Sequence, residues 1–199
     1  MKATHRSDIF TYSAFDAARN LDFNGTVVVR PQGNVVVDPM PLTEHDAQHL
    51  LELGGVWRVV ITNSDHVRAG EALRDRFGAE IAGPAAERDG FPIGCEHWVQ
   101  ADTRWGDDLE FAEVHGSKTP GELAIVCGDT LVTGDLIRGH VGGKLNLLPD
   151  PKLTDHAAAV ASVRALADRP QIAAVLVGDG WPVFREGHAR LVELANALG

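Results

Sequence analysis

Reactive residue types gather at four places in the chain, each directly after an apolar run. They are Asn63-Ser64-Asp65-His66, His115-Gly116-Ser117-Lys118-Thr119-Pro120-Gly121, Thr133-Gly134-Asp135 and Gly178-Asp179-Gly180. In α/β proteins, binding and catalysis concentrate in the loops that leave the carboxyl ends of strands. Asp65, His66, Asp135 and Asp179 offer carboxylate oxygens and one imidazole nitrogen. Taken singly, each residue has a plain structural alternative. Asp65 could cap a helix, His66 could bond a neighbouring carbonyl, Asp135 and Asp179 could be turn residues, and Lys118 could be a solvated lysine.

These clusters need elements to position them. The β-branched runs Thr26 to Arg30 and Asn34 to Asp38 flank Pro31-Gln32-Gly33 and predict a hairpin. Thr43 predicts a helix cap, with apolar residues at Ala47, Leu50, Leu51 and Leu53 and Gly54-Gly55 at the stop. Trp57 to Ile61, a helix from Val67 to Phe77 and Ala79 to Ala82 form a strand–helix–strand unit, the mark of a parallel sheet. Residues 83–108 predict loop with short elements. Strands follow at Leu109 to Val114, Glu122 to Cys127 and Thr130 to Val132, then a glycine-rich loop at Gly139 to Gly143. A helix over Thr154 to Ala167, a strand over Ile172 to Val177 and a last helix with Leu191, Leu194 and Leu198 complete the pattern. One mixed α/β domain over residues 1–199 is expected.

Composition excludes several classes. With 18 basic and 28 acidic residues the net charge is −10, and no Lys/Arg run is present, so nucleic acid is not an expected partner. The cysteines, Cys95 and Cys127, form no CxxC pair and are expected to be small buried residues rather than a disulfide or a thiol metal site. The N-terminal residues lack the apolar core of a signal peptide and no stretch is long enough to span a bilayer, so a cytoplasmic protein without membrane contact is expected.

The order and spacing of the four clusters resemble the metallo-β-lactamase superfamily over nearly the whole chain. Val59 to His66 resembles that family's H-x-H-x-D-H motif, Ser117 to Gly121 its T-P-G segment, Leu131 to Asp135 its T-G-D segment, and Val177 to Gly180 its late G-H-G. The resemblance implies a four-layer αββα sandwich: two mixed sheets face to face, helices outside, and the site along one rim. Members usually bind two metal ions, commonly zinc, bridged by the T-G-D aspartate. Here the first two histidine positions hold Ile61 and Asn63, and Lys118 replaces the histidine before T-P-G. The first metal site is therefore expected to be missing, with the Lys118 ammonium supplying positive charge in its place. Asp65, His66 and the bridging Asp135 are retained, and Asp179 stands for the last histidine. The resemblance therefore implies a set of three carboxylates and one imidazole that could hold one divalent ion, zinc or equally manganese, iron(II) or magnesium. Such an ion would acidify a bound water and polarise an ester, amide or phosphate.

Two functions follow as expectations. One is hydrolysis of a small ester, thioester, amide or phosphate by a single metal ion at Asp65, His66, Asp135 and Asp179, with Asp65 orienting water and Lys118 in support. The other is a metal-free binding protein in which Lys118 pairs with Asp65, Asp135 or Asp179. His140 in the glycine-rich loop is a candidate proton carrier. His115, Arg138 and Trp181 are weaker candidates for site contacts. A small-molecule partner is expected, and a homodimer is the commonest assembly if the chain self-associates.

Overall fold

Alternation along each strand decides the layering. The computed structural model describes residues 1–199. A first sheet holds β1 (Lys2–Ala3), β2 (Ile9–Asp16), β3 (Leu21–Val28), β4 (Val35–Val37), β5 (Arg58–Val60), β6 (Glu80–Pro84) and β7 (His97–Val99), side by side in chain order. Its first four strands pair antiparallel, and β4 through β7 pair parallel. Odd and even positions then part company. Val27, Val36, Val59 and Ile81 pack under helices α1 (Glu44–Glu52) and α2 (Gly70–Phe77), while Val28, Val35, Val37 and Val60 face the second sheet.

The second sheet is built from β8 (Arg104–Trp105), β9 (Leu109–Glu113), β10 (Leu123–Cys127) and β11 (Thr130–Thr133). A separate ribbon of β12 (Ile137–Val141) and β13 (Lys144–Leu147) follows, then α3 (His156–Ala167), β14 (Ala174–Val177), which pairs parallel with β11, and α4 (Gly187–Ala197). Leu109, Phe111, Leu123, Ile125 and Leu176 meet the first sheet; Ala124, Val126, Leu131 and Val175 meet α3 and α4. The architecture is the expected αββα sandwich. Cys127 is buried between the sheets and Cys95 is half-buried; they form no disulfide. No helix is long and apolar enough to cross a membrane.

Two elements depart from the sequence pattern. Strands β1, β2 and the first half of β3 lie before the predicted hairpin, because Ser13, Asp16, Asp22 and Asn24 break their apolar runs on a half-solvated sheet edge. The predicted loop at Gly139 to Gly143 is instead the β12–β13 ribbon. Gly139 is there for close approach, since a Cβ would lie 2.1 Å from the Trp181 carbonyl oxygen.

Gly116 shows how tightly the loop between β9 and β10 is seated. Its φ is +79°, and a Cβ would stand 2.2 Å from the Asp155 oxygen and 2.3 Å from the Ala159 nitrogen at the start of α3. Gly116→Ala is expected to cost about 3 kcal/mol, read as a lowered midpoint in urea unfolding. An unchanged midpoint would mean that this loop is not pressed onto α3.

Candidate functional site

All four polar clusters converge on one rim of the sandwich, at the ends of β5, β9, β11 and β14. They line a cleft of about 450 Å³. Ser64–His66 forms a 3₁₀ turn after β5, capped by Asn63, whose side-chain oxygen accepts from the Asp65 N–H at 3.0 Å. Ile61, which the motif resemblance sets at the first histidine, is fully buried in the helix-side core. Burying it contributes about 2 kcal/mol. Asn63, at the second position, donates to Asp135 Oδ2 at 3.3 Å.

Asp38, at the end of β4, holds the retained histidine. It has φ +46°; one oxygen accepts from the Thr62 N–H at 2.8 Å, and the other from Thr62 Oγ1 and His66 Nδ1, each at 2.7 Å. That pairing fixes the ring and turns Nε2 toward Asp135 Oδ2 at 3.4 Å and Asp179 Oδ1 at 4.0 Å. Gly178 permits this, since a Cβ there would sit 2.8 Å from His66 Cε1.

Lys118 reaches in from the opposite side. Its Nζ lies 2.7 Å from Asp65 Oδ2 and 2.9 Å from Asp135 Oδ2. Two buried carboxylates set the loops around it. Glu122 accepts from Ser117 Oγ at 2.6 Å and the Leu136 N–H at 2.9 Å. Glu87 accepts from the Ser64 N–H at 2.8 Å and the Gly121 N–H at 3.3 Å.

Two arginines close the other half. Arg68, with φ +39°, donates through Nη1 to the Asn24 oxygen at 2.9 Å. Its Nη2 lies 3.1 Å from His66 Nε2 and 3.2 Å from Asp179 Oδ1. Arg138 bonds the other oxygen of Asp179. The sequence pattern overlooks Arg68 because it falls beyond the motif, two residues after His66. Asp38 was legible only as a strand-end acid, and Glu87 and Glu122 carried no signal in the sequence.

Charge within the cluster balances. Asp38, Asp65, Asp135 and Asp179 face Arg68, Arg138, Lys118 and His66. Burial opposes protonation of His66, but Asp38 and Asp135 outweigh it and Arg68 together, and the pKa rises to about 9. With the ring protonated, Arg68 Nη2 and His66 Nε2 both donate, so they are held side by side by the carboxylates of Asp179 and Asp135 and do not bond each other. Burial likewise opposes ionisation of Asp135, yet His66 and Lys118 hold its pKa well below the usual carboxylate range. Lys118 titrates above an ordinary lysine, because the attraction of Asp65 and Asp135 exceeds its desolvation. Burial and the neighbouring Asp135 push Glu122 up to about 7.

His66, Asp135 and Asp179 are a candidate metal triad, their ligand atoms within 4.8 Å of one another. The fourth residue of the expected set, Asp65, is turned to Lys118 and more than half exposed. A divalent ion does not fit the triad as arranged. Arg68 Nη2 stands against His66 Nε2 and Asp179 Oδ1, Lys118 covers Asp135 Oδ2, and Arg138 takes the remaining oxygen of Asp179. An ion would have to displace a guanidinium and add two charges to a balanced cluster.

The remaining candidates lie elsewhere. His140 is exposed on β12 and does not line the cleft, and its pKa is lowered by partial burial and by Arg138. His115 lies in a groove against α3, where its N–H donates to Ser162 Oγ at 2.8 Å. Trp181 is exposed beside Phe15 in a separate small pocket.

Solved structures with the same architecture include the metallo-β-lactamase from Pontibacter korlensis, with a TM-score of 0.72 and 17% identity over 96% of each chain. The metallo-β-lactamase from Erythrobacter litoralis superposes with a TM-score of 0.76 at 16% identity, covering 98% of this chain and 95% of that one. FIM-1 from Pseudomonas aeruginosa in its mono-zinc form gives 0.73 at 17% identity, covering 95% and 90%. Likeness at this identity concerns the fold. No functionally curated protein matches the chain. The model of the metallo-β-lactamase superfamily matches residues 1–198, and the chain belongs to that superfamily.

Proposed function

We propose that this protein binds a small molecule in a cleft where its own cations take the place of the superfamily's metal ions. The carrying observation is the position of Arg68 Nη2, 3.1 Å from His66 Nε2 and 3.2 Å from Asp179 Oδ1. Lys118 does the same for the other half, bridging Asp65 and Asp135. Guanidinium and ammonium groups keep their charge at neutral pH and carry hydrogen-bond donors, so they satisfy carboxylate lone pairs that a metal would otherwise take. Asp65 is the one carboxylate of the floor open to solvent, and its oxygen not bonded to Lys118 accepts a hydroxyl or amine of the ligand. Lys118, partly exposed, presents positive charge to the same ligand. His140 has no part in this reading.

The second reading, a single-metal hydrolase, draws on the compact His66, Asp135 and Asp179 triad. It requires Arg68 to swing away. Elemental analysis of protein purified without chelator separates the two. The expected result is a metal content far below one equivalent and a Tm unmoved by EDTA or added zinc. Arg68→Ala should then gain zinc binding, because it uncovers His66 Nε2 and Asp179 Oδ1 together. Stoichiometric metal in the wild type, lost on mutating Asp135, would overturn the metal-free reading and leave the single-metal one.

A self-compensated cluster also sets a pH dependence. The His66 pKa is raised from 6.5 to about 9, so its contribution is complete below pH 6.5 and disappears as pH climbs through 9. Asp135 is depressed, so its contribution is present above the ordinary carboxylate pKa and fades in acid. Stability should therefore fall between pH 6.5 and 9 by on the order of 1–3 kcal/mol. Denaturant unfolding of wild type and His66→Gln across that range checks this. The same fall in both proteins would show that His66 is not its source.

A further inference from the structure

The cleft is the cationic feature of an acidic protein. The whole chain carries 18 basic and 28 acidic residues, yet the cleft is lined by five basic and four acidic side chains together with His66. The floor cancels internally: Arg68, Lys118 and Arg138 are matched by Asp65, Asp135 and Asp179. At the mouth stand Lys152, Arg19 and Asp16, two cations against one carboxylate. Lys152, in a 3₁₀ turn after β13, is exposed and makes no salt bridge or hydrogen bond through its side chain. Arg19, in the turn between β2 and β3, is held loosely, with Asp16 at 3.8 Å and the Phe23 ring 5.4 Å from its guanidinium, and its side chain is 69% exposed. These two cations come from different elements and line the same cleft. Only Phe23 and Met40 in the lining are apolar, so the occupant is polar throughout.

Resting on the metal-free reading of the cleft, we propose that its ligand is a small phosphomonoester. The phosphate is held at the mouth by Lys152 and Arg19, and the hydroxyl-bearing body lies on Asp65 and Lys118. A phosphate monoester brings nearly two negative charges and three terminal oxygens, enough to answer two cations arriving from separate elements. Each carboxylate brings one charge and two oxygens, so a dicarboxylate such as succinate matches the charge of a phosphate monoester but divides it between two separated groups. The negative field of the rest of the chain makes a cationic mouth selective for where an anion docks, and salt weakens that attraction.

The test is calorimetric titration of the whole protein with glycerol 3-phosphate and with inorganic phosphate, and with succinate as the carboxylate arm, each with and without EDTA. The expected result is saturable binding of both phosphate probes that EDTA does not change and that succinate does not match. Arg19→Ala/Lys152→Ala should weaken it about tenfold, from two partly exposed charge contacts. Both positions are on the surface; an unchanged ligand-free Tm marks the variant as folded, and Lys152→Glu alone provides a second one. Absence of saturable binding, succinate binding as tightly as glycerol 3-phosphate, or variants that bind unchanged would each overturn the proposal. Binding abolished by EDTA would contradict the metal-free reading itself, which separates that failure from this one.

Discussion

The buried carboxylate of Asp135 is the constraint on which this rim of the molecule depends. It is 1% exposed at the tip of the turn leaving β11, where solvent cannot stabilise its charge. A lone carboxylate so placed costs several kcal/mol even after the surroundings relax. Lys118, the His66 ring and the Asn63 amide meet it from three sides. Each of these partners needs an anchor of its own, and the requirement spreads outward. His66 is held by Asp38, Lys118 by a loop pinned through Glu122, Thr154 and Ser162 of α3, and Asn63 by the 3₁₀ turn it caps.

The backbone around the cluster is correspondingly tight. Gly134 has no room for a side chain, because a Cβ would lie 2.6 Å from Thr62 Oγ1. At Gly178 a Cβ would lie 2.8 Å from His66 Cε1. These glycines let β5, β11 and β14 bring polar groups from three strand ends within bonding distance. The hydrophobic layers supply the rigidity, since the strands that carry the cluster are buried on both faces by the two sheets and their helices. The superfamily scaffold thus brings the carboxylates of Asp65, Asp135 and Asp179 into contact with the side-chain cations of Lys118, Arg68 and Arg138.

Much of this was legible in the sequence, and the part that was not has physical reasons. Asp65, His66, Lys118, Asp135 and Asp179 each follow an apolar strand, and their order could be read directly. The strand–helix–strand unit and the helix capped by Thr43 were legible because their signals are local. Arg68 was not. Its role depends on a left-handed backbone and on the Asn24 carbonyl of a distant strand, neither of which leaves a trace near residue 68. Glu87 and Glu122 look like surface acids until loop N–H groups from other segments close over them. Gly139 read as loop because a glycine required for close packing and one required for a turn look alike in one dimension.

The most direct test of the central claim is anomalous diffraction at the zinc edge from crystals grown with zinc. The account predicts no anomalous peak among His66, Asp135 and Asp179, with Arg68 still against His66 Nε2. A peak about 2.1 Å from His66 Nε2, with Arg68 swung out of the cleft, would contradict it.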